Sequence, residues 1–144
     1  MDLHNLKLRL QEHLSDGLVT IVGSGLSCAE GLHGMGELAT HLHAKVATGL
    51  VGVDASTWAS ASALFPSKGL EGALLAVPPT PVLELAIAAA TGQLIAERER
   101  EVVSEVFAGI RTLRLTRLLA HLVKPPTGLT LVTTNYDRLV EIAA

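Results

Sequence analysis

Residues 18–27 read LVTIVGSGLS, and this stretch decides the fold that the sequence predicts. Its first five residues are an apolar, β-branched run without alternation, which is typical of a strand buried on both faces of a parallel sheet. Gly23-Ser24-Gly25 stands where such a strand hands over to a helix, and glycines there let the backbone turn and approach a phosphate. Cys28 occupies the place of the third glycine of a dinucleotide fingerprint. The turn alone therefore either binds a nucleotide or only reverses the chain.

A second apolar run, residues 129–133 (LTLVT), leads into Thr134-Asn135-Tyr136-Asp137, and another helix begins near Arg138. In open α/β sheets, ligands bind at the carboxyl ends of strands. Residues 133–137 hold two hydroxyls, an amide, a phenol and a carboxylate. The alternative is a helix N-cap, in which Thr134 or Asn135 caps and Asp137 favours the helix dipole. Because a cap accounts for one or two of these side chains, both interpretations stay open.

The spacing of apolar residues elsewhere predicts helices over 2–15, 37–47, 82–90, 93–108 and 111–123. Asp16-Gly17 is expected to end the first of them. Thr80 is expected to cap the helix over 82–90, with Pro81 in its first turn. Residues 50–80 are expected to form an insertion or small helical subdomain, with loop at Pro66, Gly69, Gly72 and 77–81, and residues 124–128 are expected to end the helix over 111–123. This order predicts an α/β fold, a Rossmann-like doubly wound parallel sheet flanked by helices. Two strands do not make a stable open sheet. Residues 1–144 are therefore expected to be the N-terminal part of one domain, incomplete at its C-terminus.

Composition excludes several classes of protein. The net charge of −3 disfavours sequence-independent binding to nucleic acid by this segment. A single cysteine excludes an intrachain disulfide and a multi-cysteine zinc site. No metal site is predicted, because His41 and His43, two residues apart on a helix, point in different directions. The apolar runs are far shorter than the roughly 20 residues a bilayer needs, and no secretory signal is visible, so a cytoplasmic protein without membrane contact is expected.

Together, VGSGLS at 22–27 and TTNYDRLVE at 133–141 resemble the sirtuin-like superfamily. In that family a Gly-Ala/Ser-Gly turn cradles NAD, and a Thr-Gln/Thr-Asn-x-Asp segment lines the nicotinamide–ribose pocket. Residues 29–38 (AEGLHGMGEL) occupy the place of the family's Gly-Ile-Pro segment and the helix after it. Gly34-Met35-Gly36 replaces the Asp-Phe-Arg of protein deacylases, and Thr134 replaces their Gln. Both differences are closer to prokaryotic sirtuin-like NAD hydrolases, often toxic effectors of anti-phage defence.

The resemblance implies an NAD⁺ glycohydrolase that cleaves the nicotinamide–ribose bond to give nicotinamide and ADP-ribose. Asn135 and Asp137 would be its catalytic residues. Asn135 would place the water or the ribose hydroxyls beside the anomeric carbon, and Asp137 would face the nicotinamide carboxamide. The residues implied to bind NAD are Gly23, Ser24, Gly25, Ser27, Thr133, Thr134 and Tyr136.

Two other functions stay open, a module that binds NAD or ADP-ribose without cleaving it and an NAD-dependent protein deacylase. The family's catalytic histidine is expected beyond Ala144. The resemblance also implies a sensor domain or partner protein, and a homo-oligomer. Finally, Arg111, Arg114 and Arg117 recur every three residues on one predicted helix. They predict either a solvated basic face or a surface for an acidic partner.

Overall fold

The computed structural model describes residues 2–15, 19–122 and 130–144. Within these ranges the chain forms eight helices and two short strands. In chain order they are α1 (Leu3–Ser15), β1 (Val19–Val22), α2 (Ser24–Ala29), α3 (Met35–Val46), α4 (Gly52–Ser62), α5 (Phe65–Ala76), α6 (Pro81–Phe107), α7 (Arg114–Leu122), β2 (Thr130–Thr133) and α8 (Leu139–Ala143).

The predicted Rossmann-like doubly wound sheet is wrong. The sheet of the described residues holds β1 and β2 alone, which pair in parallel from Val19 opposite Thr130 to Val22 opposite Thr133. A doubly wound fold needs several parallel strands with helices on both faces. Here the described chain between the two strands is helical and forms a core of its own, so it supplies no further strand to the sheet.

The two strands are also more exposed than the sequence predicts. Ile21 keeps 71% of its surface exposed and Val19 keeps 53%, while Val22 is buried. On β2, Val132 is exposed as well. The prediction that β1 is buried on both faces is therefore wrong. Within the described residues, the face that carries Val19 and Ile21 is open to solvent.

Other local predictions hold in part. The helices over 2–15 and 111–123 correspond to α1 and α7, whereas 82–90 and 93–108 form the single helix α6, which continues through Gly92. The loop predicted around Pro66 and Gly69 is helical at Pro66 but is interrupted at Gly69. Proline is tolerated in the first turn of a helix, whereas Gly69, with a φ of 69° and a ψ of 177°, is not helical and separates α5 into two helical segments joined by a kink. The predicted ends at Asp16-Gly17 and at 124–128 lie outside the described residues.

The chain divides into two compact units, whose boundaries fall after Glu30 and inside α6. Unit 1 comprises Met1–Glu30 and Val102–Ala144, and unit 2 comprises Gly31–Glu101. The segment expected to form an insertion, residues 50–80, lies inside unit 2. In unit 1, α7 contacts α8, and the Thr116 hydroxyl donates to the Ala143 carbonyl over 3.4 Å.

Unit 2 has a hydrophobic core built by α3, α4, α5 and the first half of α6. The indole ring of Trp58 packs edge-on against Phe65, with ring centroids 5.5 Å apart. Helices α3 and α4 both pack against α5. The buried side chains of this core are Leu42, Val46, Trp58, Leu70 and Leu83.

The predicted start of α6 is confirmed. The Leu83 amide donates to the Thr80 hydroxyl oxygen over 3.2 Å, which caps the helix, and Pro81 is its first residue. The Thr80 hydroxyl in turn donates to the Asp54 carboxylate of α4. One side chain therefore caps α6 and ties it to α4.

Two leucines of α6 test the core of unit 2. Leu83 is fully buried, whereas Leu85, two residues later, is 73% exposed. We expect Leu83→Ala to lower the free energy of unfolding by about 2–5 kcal/mol, because the core cannot fill the cavity. Leu85→Ala, the control, should change it by less than about 0.5 kcal/mol. Urea denaturation of both variants measures the difference, and equal losses would contradict this description of the core.

Candidate functional site

The two stretches that the sequence singles out meet at one end of the sheet, as predicted. Because the strands are parallel, their carboxyl ends lie side by side, with Val22 opposite Thr133. The Thr134 amide donates to the Val22 carbonyl over 3.1 Å and extends the pairing by one residue. The glycine turn and residues 134–137 therefore begin at the same edge.

Asn135 joins the two stretches directly. Its Nδ2 donates to the Ser27 hydroxyl oxygen over 2.7 Å and to the Gly23 carbonyl over 3.3 Å. Ser27 is buried, and its partner lies 108 residues away in the chain. The contact fixes the orientation of the carboxamide plane, because Nδ2 is committed to the glycine turn.

The other end of the same carboxamide is unused. Asn135 Oδ1 is buried and has no hydrogen-bond partner among the described residues. Leaving a buried acceptor without a donor costs about 1–3 kcal/mol. Such an atom fits a site completed by a donor from outside the chain, such as a hydroxyl group, an amide or a water molecule.

The fold itself does not require glycine in the turn. Gly23 has extended backbone with a φ of −112°, and a Cβ there would lie 4.0 Å from the Thr134 hydroxyl, an ordinary contact. A Cβ at Gly25 would meet nothing within 4 Å. Ser24, between them, is exposed. These residues leave open space above the backbone at the start of α2.

The cap interpretation is wrong for Thr134 and Asn135, because α8 begins after Arg138 and no side chain caps it, while Asp137 makes a local contact just before this helix. The Asp137 side chain is 6% exposed, and its Oδ1 accepts the Leu139 amide over 3.1 Å at the start of α8. Thr133 makes a similar local contact, since its hydroxyl oxygen accepts the Asn135 amide over 3.0 Å. Tyr136, in contrast, is 91% exposed. A local role at the start of α8 therefore accounts for Asp137 but not for the long-range contacts of Asn135.

Sequence reasoning did not single out Glu30, the buried residue that follows α2. Its Oε2 accepts Arg111 Nη2 over 2.9 Å, and its Oε1 accepts the Arg114 amide over 2.6 Å. Arg111 also donates to the carboxylate of Glu105 over 3.0 Å. The hydrogen bonds to Glu30 and then to Glu105 raise the pKa of Arg111 above its ordinary value. No local signal predicts this group, because Glu30 and Arg111 are 81 residues apart.

These contacts also revise the basic stripe. Arg111 is a paired, half-buried side chain, whereas Arg114 and Arg117 are exposed. Only those two keep the character of the solvated face that the three-residue spacing predicts. The pairing arises because Arg111 precedes α7 and reaches the end of α2, instead of lying on the helix with the others.

Residues 31–38, which the resemblance associates with the same pocket, belong to unit 2. There His33 Nε2 accepts Arg98 Nε over 2.7 Å. Because arginine only donates, His33 carries its proton on Nδ1 and donates it to Glu37 over 2.8 Å. That bond, followed by the one from the Gly34 amide, lowers the pKa of Glu37. Both ring nitrogens of His33 are therefore occupied within unit 2.

Comparisons with protein-family models, with curated proteins and with solved structures found no match. Within residues 2–15, 19–122 and 130–144, no helix combines the length and apolar character needed to cross a membrane. The same residues hold no group of three or more His, Cys, Asp or Glu side chains arranged to bind a metal ion.

Two substitutions test the contact between Asp137 and the Leu139 amide. We expect Asp137→Ala to lower the free energy of unfolding by about 0.5–2 kcal/mol, because the Leu139 amide loses its acceptor. Asp137→Asn keeps an oxygen that can accept this amide and should cost less than about 0.5 kcal/mol. Chemical denaturation monitored by circular dichroism distinguishes them. Equal losses for Ala and Asn would show that the carboxylate charge stabilises the protein, and not the hydrogen bond to the Leu139 amide.

Proposed function

We propose that the protein binds NAD at the shared carboxyl end of β1 and β2 and hydrolyses its nicotinamide–ribose bond. The observation that carries the proposal is the Asn135 carboxamide, whose Nδ2 is bound to Ser27 and Gly23 while Oδ1 is buried without a partner. The free acceptor needs a donor, and a ribose hydroxyl or a water molecule is such a donor. The resemblance of residues 22–27 and 133–141 to sirtuin-like NAD hydrolases supports the choice of NAD.

The glycine turn supports the same choice of ligand. Neither Gly23 nor Gly25 is required by backbone conformation or by crowding. Without side chains there, a dinucleotide can approach the backbone closely enough to bond with amides. We assign the turn, with Ser24 and Ser27, to the pyrophosphate and the adjacent ribose. Thr133, Thr134 and the exposed Tyr136 border the same edge.

The proposed reaction requires little acid or base catalysis from the protein, because the leaving nicotinamide is neutral. Departure of neutral nicotinamide with the bonding electron pair leaves an oxocarbenium-like ribose, and a water oxygen then bonds to the anomeric carbon and loses a proton to solvent. Asn135 is suited to orient that water or the neighbouring hydroxyls, because an amide does not compete as a nucleophile. Fixed dipoles stabilise the developing positive charge without reorganising. A role in prokaryotic antiviral defence, with a sensor partner and a homo-oligomer, is the biological part of the proposal and rests on the resemblance alone.

A second candidate function is binding of NAD or ADP-ribose without cleavage. The buried state of Asp137 favours it, because that carboxylate is engaged with the Leu139 amide at the start of α8. Asn135 then remains as the one predicted catalytic residue whose polar group is available. Measuring binding and nicotinamide release on the same sample separates the two functions.

Substitution of Asn135 tests the proposed reaction. We expect the wild-type protein to release nicotinamide from NAD and Asn135→Ala to do so at least about 100-fold more slowly, since it loses a positioned polar group. The matched control is Asn5→Ala, the other asparagine of the chain, which is exposed on α1. Chromatographic detection of nicotinamide gives the rates. Wild-type turnover by Asn135→Ala would overturn the proposal, and tight binding without release would favour the second function.

Substitution of Gly25 separates binding from stability. We expect Gly25→Ala to raise the free energy of unfolding by up to about 0.5–1 kcal/mol, because alanine favours helix and its Cβ meets no neighbour. The same Cβ should weaken NAD binding at least about fivefold, since it occupies the proposed path of the ligand.

The matched control is Gly36→Ala, the second residue of α3 as Gly25 is of α2, where a Cβ also meets nothing within 4 Å. It should stabilise the protein by a similar amount and leave the dissociation constant unchanged. Calorimetric titration with NAD and thermal unfolding measure the two effects. Unchanged affinity in Gly25→Ala would remove the turn from the proposed site.

A further inference from the structure

Glu30 is a buried charge that the proposed reaction does not use. Its side chain is 4% exposed and receives hydrogen bonds from the Arg111 guanidinium and from the Arg114 amide. Arg111 Nη2 also donates to the backbone carbonyl of Glu30. A buried carboxylate is costly unless it is paired and fully hydrogen-bonded. Its position immediately after α2, three residues beyond Ser27, connects it to the candidate site.

Helix α2 needs such an anchor because it is only six residues long. A helix of that length is not stable by itself in water, so its position depends on what holds its two ends. At its first end, Gly23 continues directly from β1. At its last end, the Glu30 carboxylate accepts the first amide of α7, where the positive end of that helix dipole favours a negative charge.

The contact made by Glu30 is part of a continuous series of contacts in unit 1 that begins and ends at α2. Glu30 contacts α7, which in turn contacts α8 and is hydrogen-bonded to it through Thr116 and Ala143. Helix α8 follows directly on the segment that carries Asn135. Asn135 returns to the start through its bond to Ser27. Ser27 and Asn135 are thus held relative to each other by the sheet on one side and by Glu30 on the other.

We propose that Glu30 is a positioning residue of the candidate site, which holds α2 so that the Ser27 hydroxyl stays on Asn135 Nδ2 and Oδ1 keeps one direction. Its effect on NAD rests on the proposed function, whereas its effect on the carboxamide does not. A residue that only stabilises the fold would leave the Ser27–Asn135 bond unchanged in the molecules that remain folded. A positioning role and a purely stabilising role therefore differ in whether the Ser27–Asn135 bond changes in the folded variant.

The chain offers a selective probe for this difference. It contains two asparagines, Asn5 and Asn135, so labelling with ¹⁵N-asparagine gives two side-chain amide groups to observe by NMR. The test variant is Glu30→Gln. The matched control is Glu105→Gln, which removes the other carboxylate from the same arginine but lies on α6 and leaves the end of α2 untouched.

In folded Glu30→Gln we expect the Asn135 side-chain amide to shift and its hydrogens to exchange about tenfold faster, with the Asn5 signal unmoved. The dissociation constant for NAD should rise about tenfold, the size expected when a hydrogen bond to a charged group is lost. Glu105→Gln should leave both quantities within about twofold of wild type, because that carboxylate is exposed.

An unchanged Asn135 amide in folded Glu30→Gln overturns the inference, whatever happens to NAD. Absence of NAD binding by the wild-type protein would instead remove the proposed function, and the NMR measurement would still decide the role of Glu30. If Glu30→Gln does not fold, Arg111→Lys replaces it, because lysine keeps a cation but cannot bridge Glu30 and Glu105 as the forked guanidinium does. A smaller displacement of the same Asn135 signal is then expected, and no displacement is the contrary result.

Discussion

The parallel register of β1 and β2 is the constraint on which the candidate site depends. Pairing Val22 with Thr133 brings the glycine turn and the polar segment to the same edge of the sheet. A slip by one residue would turn every following side chain to the opposite face and would separate Asn135 from Ser27. The Thr134 amide, bonded to the Val22 carbonyl, and the Asn135 carboxamide, bonded to Ser27, both oppose such a slip.

Polar contacts between distant parts of the chain define this end of unit 1. Asn135 uses its donor within the protein and retains an acceptor, while Asp137 uses its acceptor to begin α8. Two neighbouring residues of one segment therefore have separate roles, since Asn135 bonds to the glycine turn and Asp137 accepts an amide at the start of α8. Glu30 adds a buried charge that keeps the opposite side of α2 in place.

The strand–turn–helix boundaries were accessible from sequence because β-branched runs and glycines act locally. The helix start at Thr80-Pro81 was accessible for the same reason, since a hydroxyl cap and a proline need only their neighbours. The number of strands could not be predicted from the sequence. It depends on whether the chain between β1 and β2 adds further strands to the sheet, and no local sequence pattern indicates this. Gly92 was misleading, since packing of its helix outweighs a helix propensity of about 1 kcal/mol, whereas Gly69 does interrupt α5.

The candidate site was likewise predictable from the sequence in part only. That the two motifs meet could be predicted from their place after parallel strands, but the separate roles of Asn135 and Asp137 could not. Both are short polar side chains before a helix, and only the structure shows which one bonds across the sheet. The Glu30–Arg111 pair could not be predicted at all, because the spacing of Arg111 with Arg114 and Arg117 indicates an exposed stripe.

The discontinuity of unit 1 has a consequence for biosynthesis. Unit 2 is one uninterrupted run of chain, so its contacts are available as soon as Gly31–Glu101 has left the ribosome. The strand Val19–Val22 emerges earlier but cannot pair until Thr130–Thr133 has been made. Nascent chains therefore carry an uncharged, β-branched segment that waits without its partner, which is the kind of segment that chaperones recognise and that aggregates when synthesis stalls.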